Sequence, residues 1–172
     1  MTIFTIGHST RTLEELVELL EIHGVRQLAD IRTVPRSRRH PQFWREALTI
    51  SLPARGIAYT HLPALGGLRK TRPNSSNTAW QNASFRGYAD YMQTPAFEQG
   101  LEELLAYASI APTTVMCAEA TWWRCHRRLV ADALVARGLD VRHIMSATPA
   151  APHQMTPFAC VEAGRVTYPG LF

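Results

Sequence analysis

The sequence predicts an α/β fold: a single domain with a mostly parallel sheet and helices on both faces. Three observations predict it. Short β-prone runs alternate along the chain with stretches of helical periodicity. The connections between successive runs are long enough for the crossovers that parallel strands require. The 172 residues, 46% hydrophobic and 19% charged, fit one domain with one hydrophobic core.

Taken in order, residues 2–6 are a β-prone run closed by Gly7. Leu13, Leu16, Val17 and Leu20 recur at helical spacing, with Glu14, Glu15, Glu18 and Glu21 on the opposite side. Thr12 and Glu15 have the spacing of a capping box, and Gly24 ends the helix. Residues 25–31 read as the next strand, so 2–31 is a β-α-β unit. A basic loop over 32–39 leads to a helix over 41–55 with Pro41 in its first turn, then a strand over 57–61. Residues 62–84 carry two glycines, two prolines and several Asn and Ser, and read as one long loop of the kind that is functional or disordered in compact domains.

Thr94-Pro95 opens a helix that buries Phe97, Leu101, Leu104, Leu105 and Ala108. A strand over 113–116, a helix over 124–137 stopped by Gly138, a strand over 141–144 and a small hairpin within 158–168 complete the prediction. No repeat or second domain is visible in 1–172; the motifs fall within about 3–144, and 145–172 is a C-terminal extension.

No apolar run reaches the ~18 residues of a membrane span, and no basic leader precedes an apolar stretch at the N-terminus. Three cysteines make no disulfide framework, so reduced thiols and a cytoplasmic location are expected. The net charge is +4, and Lys70 is the only lysine. Between Arg26 and Asp90 eleven basic residues face three acidic ones, a local +8 that leaves the rest of the chain acidic. This asymmetry points to an anionic partner, such as a nucleotide or nucleic acid. A G+C-rich genome would give the same arginine bias through its codons.

In a parallel sheet, ligands sit beyond the carboxyl ends of the strands. Gly7-His8-Ser9, Arg32, His61, and Cys117 with Glu119 each follow a predicted strand, so a site is expected at that edge. Cys125, at the start of a predicted helix and beside Arg124, Arg127 and Arg128, is a candidate low-pKa nucleophile. Cys117, behind Val115 and Met116, reads first as a small buried hydrophobe. Glu119 is a candidate acid or base and also a candidate ion-pair partner, and His8 a candidate proton shuttle. Ser9, Arg32, Arg36, Arg38, His61 and Arg127 are candidates for holding an anion, with Asp30 orienting Arg32. Cys117, Cys125, His126, His8 and His61 are metal-ligand types, but Cys-x7-Cys-His is not a zinc spacing, and no metal or other cofactor is assigned. Trp122-Trp123 is an unusual adjacent pair, since both cannot easily face inward.

Ile6-Gly7-His8-Ser9, Asp30-Ile31-Arg32 with Pro35, Ser37 and Arg38, Leu65-Gly66-Gly67, Phe85-Arg86-Gly87-Tyr88, and Cys117-Ala118-Glu119 through Cys125-His126-Arg127 together resemble the DUF488 family. The resemblance implies a compact α/β domain whose signature residues are polar loop positions, as in an active or binding site. Trp122-Trp123 departs from the shorter polar residues expected there, which would alter access to Cys125.

Three functions follow as expectations. The first is an enzyme on a phosphate-bearing substrate, with Cys125, Glu119 and His8 at the chemistry and the arginines on the anion. The second is a nucleic-acid-binding module without catalysis, marked by steep salt dependence. The third is a redox or metal-binding protein in which Cys117 and Cys125 approach each other. A rhodanese-like or phosphatase-like loop is disfavoured, because Cys125-His126-Arg127 lacks a glycine-rich cradle. Whether the chain is an enzyme, and its oligomeric state, stay open on the sequence.

Overall fold

Alternating apolar runs become strands and periodic runs become helices over residues 1–170, which a computed structural model describes. The strands are β1 (Thr2–Gly7), β2 (Gln27–Asp30), β3 (Ala58–His61), β4 (Thr113–Cys117), β5 (Asp140–His143), β6 (Ala151–Pro152), β7 (Cys160–Glu162) and β8 (Arg165–Thr167). The helices are α1 (Leu13–Ile22), α2 (Arg45–Ala54), α3 (Ala83–Tyr91), α4 (Pro95–Ala108) and α5 (Arg127–Ala136). The six-stranded sheet has the order β3-β2-β4-β1-β5-β6. Its first five strands run parallel, and β6 adds an antiparallel edge. The last two strands, β7 and β8, form the hairpin expected near the C-terminus, with Ala163 and Gly164 at positive φ in its turn.

The helices divide between the two faces as apolar burial demands. Leu16, Val17, Leu20, Leu48 and Leu52 of α1 and α2 pack with Ile6, Leu28 and Met116 on one face. Residues of α3, α4 and α5, among them Tyr88, Leu101 and Leu134, pack with Ile3, Ala29, Ile31 and Val115 on the other. The chain thus winds outward from β1 to β3 on one face and returns from β3 to β5 on the opposite face. As a result β4 lies between β1 and β2, and the chain leaves β4 toward the face opposite to the helices that follow its neighbours. The loops diverge on both sides of β4, and crevices open there at the carboxyl ends of the strands.

Two helix boundaries and one whole helix differ from the expectations. The 41–55 segment is a 3₁₀ turn (Pro41–Phe43) followed by α2, because Trp44 is extended at φ −62 and ψ 148. The helix expected from residue 124 starts at Arg127, behind a separate 3₁₀ turn (Trp122–Arg124). And α3 was not expected at all. Asn82 caps it by accepting from the N–H groups of Ser84 and Phe85, and Gly87 inside it weakens the helical signal.

Gly87 is there for close approach: a Cβ would sit 2.1 Å from the Arg69 carbonyl oxygen. The long 62–82 connection is ordered against α3. The Asp90 carboxylate accepts from Arg72 N, Ser75 Oγ and Asn77 Nδ2 at 2.8, 2.5 and 2.8 Å. In an exposed helix, Gly→Ala stabilises by up to about 1 kcal/mol. Here Gly87→Ala is expected to do the reverse, lowering the urea midpoint and exposing the 66–72 backbone to protease, as chemical denaturation and limited proteolysis would show.

Candidate functional site

Everything polar at the carboxyl edge is arranged around the end of β4. Gly7 pairs with Cys117 across β1 and β4. The pairing continues past the strands, with His8 N donating to Cys117 O and Ser9 N to Ala118 O, both at 2.9 Å. Only glycine fits at position 7, because a Cβ would lie 1.8 Å from the Glu119 carbonyl oxygen and 2.9 Å from Arg127 Nη1. On the β2 side of β4 a cavity of about 380 Å³ opens, with Cys117, Cys125 and His126 among its lining residues and Val34, Leu68, Phe85 and Tyr88 forming apolar wall. On the β1 side a smaller cavity of about 240 Å³ is lined by His8, Ser9, Thr10, Ser37, His40 and residues 118–120.

The two sulfurs meet at the main cavity. Cys125 Sγ lies 2.8 Å from Cys117 Sγ and 3.5 Å from His126 Nδ1. His126 Nε2 lies 2.9 Å from the Ile31 carbonyl oxygen, which can only accept, so Nε2 carries the proton and Nδ1 faces Cys125 as an acceptor. Burial holds the His126 pKa down at about 4, so the ring is neutral near pH 7. Burial alone would raise Cys117, but the S–H of Cys125 and the Arg127 cation prevail and its pKa falls. Cys125 is pushed well up, first by donating to Cys117 and then by its own burial. Of the two sulfurs Cys117 is thus the one that loses a proton more readily, although Cys117 Sγ also has the Glu119 carbonyl oxygen, an acceptor, at 3.6 Å. The helix starts two residues beyond Cys125, so the dipole expected to lower this thiol acts from farther away than the sequence implied.

Arg127 supplies the missing charge. It is fully buried. Its Nη2 donates to the Ala120 carbonyl at 3.0 Å, while Nε and Nη1 have no hydrogen-bond partner among the described residues. No carboxylate forms an ion pair with it there. An uncompensated buried cation costs several kcal/mol, which a neighbouring anion offsets. Arg127 is not among the residues that line the cavity; its Nη1 lies beside Gly7, the strand neighbour of Cys117.

Of the other anticipated residues, Arg32 is committed to the protein. Its Nε and Nη2 reach the two oxygens of Asp30 at 2.9 and 2.7 Å, Nη2 also donates to Phe43 O at 2.6 Å, and Nη1 donates to His8 Nε2 at 3.2 Å. Asp30 accepts from Tyr59 as well, at 2.6 Å. His61 donates to the Arg32 carbonyl at 2.7 Å. This network ties the ends of β1, β2 and β3 together. His8 is buried, stacked on Phe43 at 4.5 Å, with Nδ1 on the Ser9 carbonyl at 2.8 Å, and burial lowers its pKa to about 4. It faces away from the cysteines, across the 118–120 loop. Ser9 sits at φ 52 in the smaller cavity. Arg36 is exposed and lies over Trp44 at 5.0 Å, and Arg38 is exposed; neither lines the main cavity. Glu119 stands at the rim and accepts from Thr121 Oγ1 at 3.0 Å. Among the described residues, no three His, Cys, Asp or Glu side chains are placed to hold a metal ion. No helix among them is long and apolar enough to cross a membrane.

Sequence reasoning missed the residues that reach the edge from afar. Leu68 carries no polar signal, and Phe85 and Tyr88, though part of a sequence motif, are apolar wall that the motif alone does not assign to the site. A buried chain runs from Thr5 to His143 Nδ1 at 2.5 Å, from His143 Nε2 to His153 at 2.8 Å, and from His153 to Asp132 at 2.7 Å. Trp122 stacks flat on His143 at 4.3 Å, while Trp123 faces solvent, so the adjacent tryptophans divide inside and outside.

The family model "Domain of unknown function DUF488" matches residues 12–134. No curated protein and no solved structure matches the chain.

His8, His126 and His143 have folded-state pKa values of about 4, about 4 and about 3, against an ordinary 6.5, in each case chiefly through burial. Their neutral forms belong to the folded state, so the unfolded chain binds more protons below pH 6.5. Their contribution is complete above that pH and is lost as pH falls toward 4, at about 1.4 kcal/mol per pH unit for each histidine. Urea melts between pH 7.5 and 5 are expected to show steeply falling stability; a flat profile would contradict the neutral assignments.

Proposed function

We propose that this chain, which belongs to the DUF488 family, is a thiol enzyme whose working groups are Cys117 and Cys125. The observation that carries the reading is the pair of sulfurs 2.8 Å apart near a buried arginine that has no carboxylate partner among the described residues. Cys117 is the nucleophile, held as thiolate by Arg127 and by the S–H of Cys125. Cys125 is the resolving thiol, and His126 Nδ1 is within reach of its proton.

With a disulfide substrate the steps balance. The Cys117 thiolate attacks one substrate sulfur, the substrate S–S bond breaks, and its other sulfur leaves as thiolate. Cys125 then passes its proton through His126 Nδ1 to that departing thiolate and attacks Cys117 Sγ. The second half of the substrate leaves as thiolate. The thiolate–thiol pair is oxidised by two electrons to a disulfide and the substrate is reduced to one thiol and one thiolate, which takes its proton from solvent; an external thiol reductant returns the pair. Gly7 and the 118–120 loop keep the pair fixed, and the apolar wall limits water around it.

A phosphate-bearing substrate, expected from the charge distribution, is the second reading. It is favoured by the exposed Arg36, Arg38 and Arg39 beside the smaller cavity that His8 and Ser9 line. It requires binding that weakens steeply with salt, which titration of a labelled oligonucleotide or nucleotide at increasing salt would measure.

The thiol reading is tested by iodoacetamide labelling of Cys117 against pH, in wild type and in Arg127→Met. Replacing a buried unpaired cation by an apolar side chain of similar length leaves folding intact or improves it. The variant is expected to raise the labelling pKa by about one unit or more and slow labelling at pH 7 about tenfold. Identical pH profiles would remove Arg127 from the account and the thiolate with it.

A further inference from the structure

The cavity in front of the sulfurs has a chemical character of its own. Leu68 and Val34 stand at its mouth, 87% and 70% exposed, and Phe85 and Tyr88 continue the apolar wall inward. Leu68 sits at φ 61, in the left-handed region that a residue with a Cβ adopts only under strain. Glycine would make that turn without strain, and two glycines immediately precede it. The backbone around Leu68 is fixed on its N-terminal side: Thr33 Oγ1 donates to Gly67 O at 2.7 Å, and Arg69 Nε donates to Gly66 O at 3.2 Å. Arg69 itself is held over the Tyr91 ring at 3.7 Å. A strained, anchored leucine projecting over a cavity mouth has a use for its side chain.

Three charged residues line the cavity. Arg32 is consumed by Asp30, Phe43 and His8. Glu119 is engaged by Thr121 through both a hydroxyl and a backbone N–H. Arg124 is exposed and makes no side-chain hydrogen bond or ion pair among the described residues. Glu119 keeps its negative charge but turns an oxygen to Thr121, and Arg124 is the lining charge left with no side-chain partner among the described residues. The volume of about 380 Å³ is that of a small-molecule site.

We propose that the cavity selects a small disulfide with an apolar, aromatic-sized body and an anionic head, carboxylate or phosphate: Leu68, Val34 and Phe85 take the body and Arg124 takes the head. This rests on the thiol reading and adds the substrate class to it. The chemistry is the exchange already described, so no further reactant is needed.

The test uses the full chain carrying Cys160→Ser, which removes an exposed thiol on β7 outside the site. Three disulfide reagents are compared by stopped-flow, each rate divided by that of the same reagent with N-acetylcysteine: dithiobis(nitrobenzoate), aromatic and anionic; dithiodipyridine, aromatic and neutral; and cystamine, aliphatic and cationic. The normalised rates are expected to fall in that order. Arg124→Gln is expected to slow the anionic reagent about fivefold and leave dithiodipyridine unchanged. Leu68→Gly, which relieves the backbone strain, is expected to slow both aromatic reagents about tenfold and spare cystamine. Protection against labelling by benzoate or by phenyl phosphate tells which head group is preferred, and protection by neither counts against the anionic head. Equal normalised rates for the three reagents, or an Arg124→Gln effect common to all of them, would overturn the inference while leaving the thiol pair reactive. Failure of all three to react at Cys117 or Cys125 would remove the thiol reading itself, a different result.

Discussion

A guanidinium that is buried without a carboxylate is the constraint around which the carboxyl edge is organised. Arg127 is fully buried and, among the described residues, has no carboxylate partner and a single hydrogen bond, to Ala120. A chain selected only for stability would put an apolar side chain at such a position. The unpaired cation is accounted for if an anion forms beside it, and the Cys117 thiolate is the anion the geometry offers. Gly7 gives up its side chain to the same end, since a Cβ there would meet both the 118–120 loop and Arg127.

The position of that anion follows from topology. Because the chain leaves β4 toward the opposite face from the helices after β1 and β2, the loops part on both sides of Cys117. One opening carries the cysteines and the apolar wall; the other carries His8, Ser9 and His40. The Asp30–Arg32–His8 network lies between them and spends its charges on fixing strand ends. Burial in the same region keeps three histidines neutral, which makes the edge sensitive to acid but gives His126 the lone pair that Cys125 faces.

Much of this was legible in the sequence because it depends on local pattern. Short β-prone runs located the five parallel strands and period-3.6 hydrophobicity four of the helices, and Thr12 with Glu15 form the expected capping box. The polar residues that follow strand ends lie along one edge, where Arg32 bonds both His8 and His61. What was not legible depends on contacts distant in sequence. Gly87 disguised α3, and its reason is a carbonyl eighteen residues upstream, at Arg69. The Asp30–Arg32 pair, two residues apart, was readable, whereas the claims of Phe43 and His8 on Arg32 and the isolation of Arg127 are tertiary facts. Leu68 carries no signal at all until its backbone angle and exposure are known. His143 and His153 become a chain only when the C-terminal extension folds back onto β5 and α5.

The central claim is that Cys117 and Cys125 act together as one two-electron couple. It is tested most directly by equilibrating the protein in glutathione buffers of graded redox ratio and reading each cysteine by mass spectrometry after alkylation. The account predicts that both residues lose alkylation together, with loss of the mass of two hydrogens and without a stable glutathione adduct on either one. A persistent glutathione adduct on one cysteine with the other still alkylated, or no oxidation of the pair at any ratio, would contradict it.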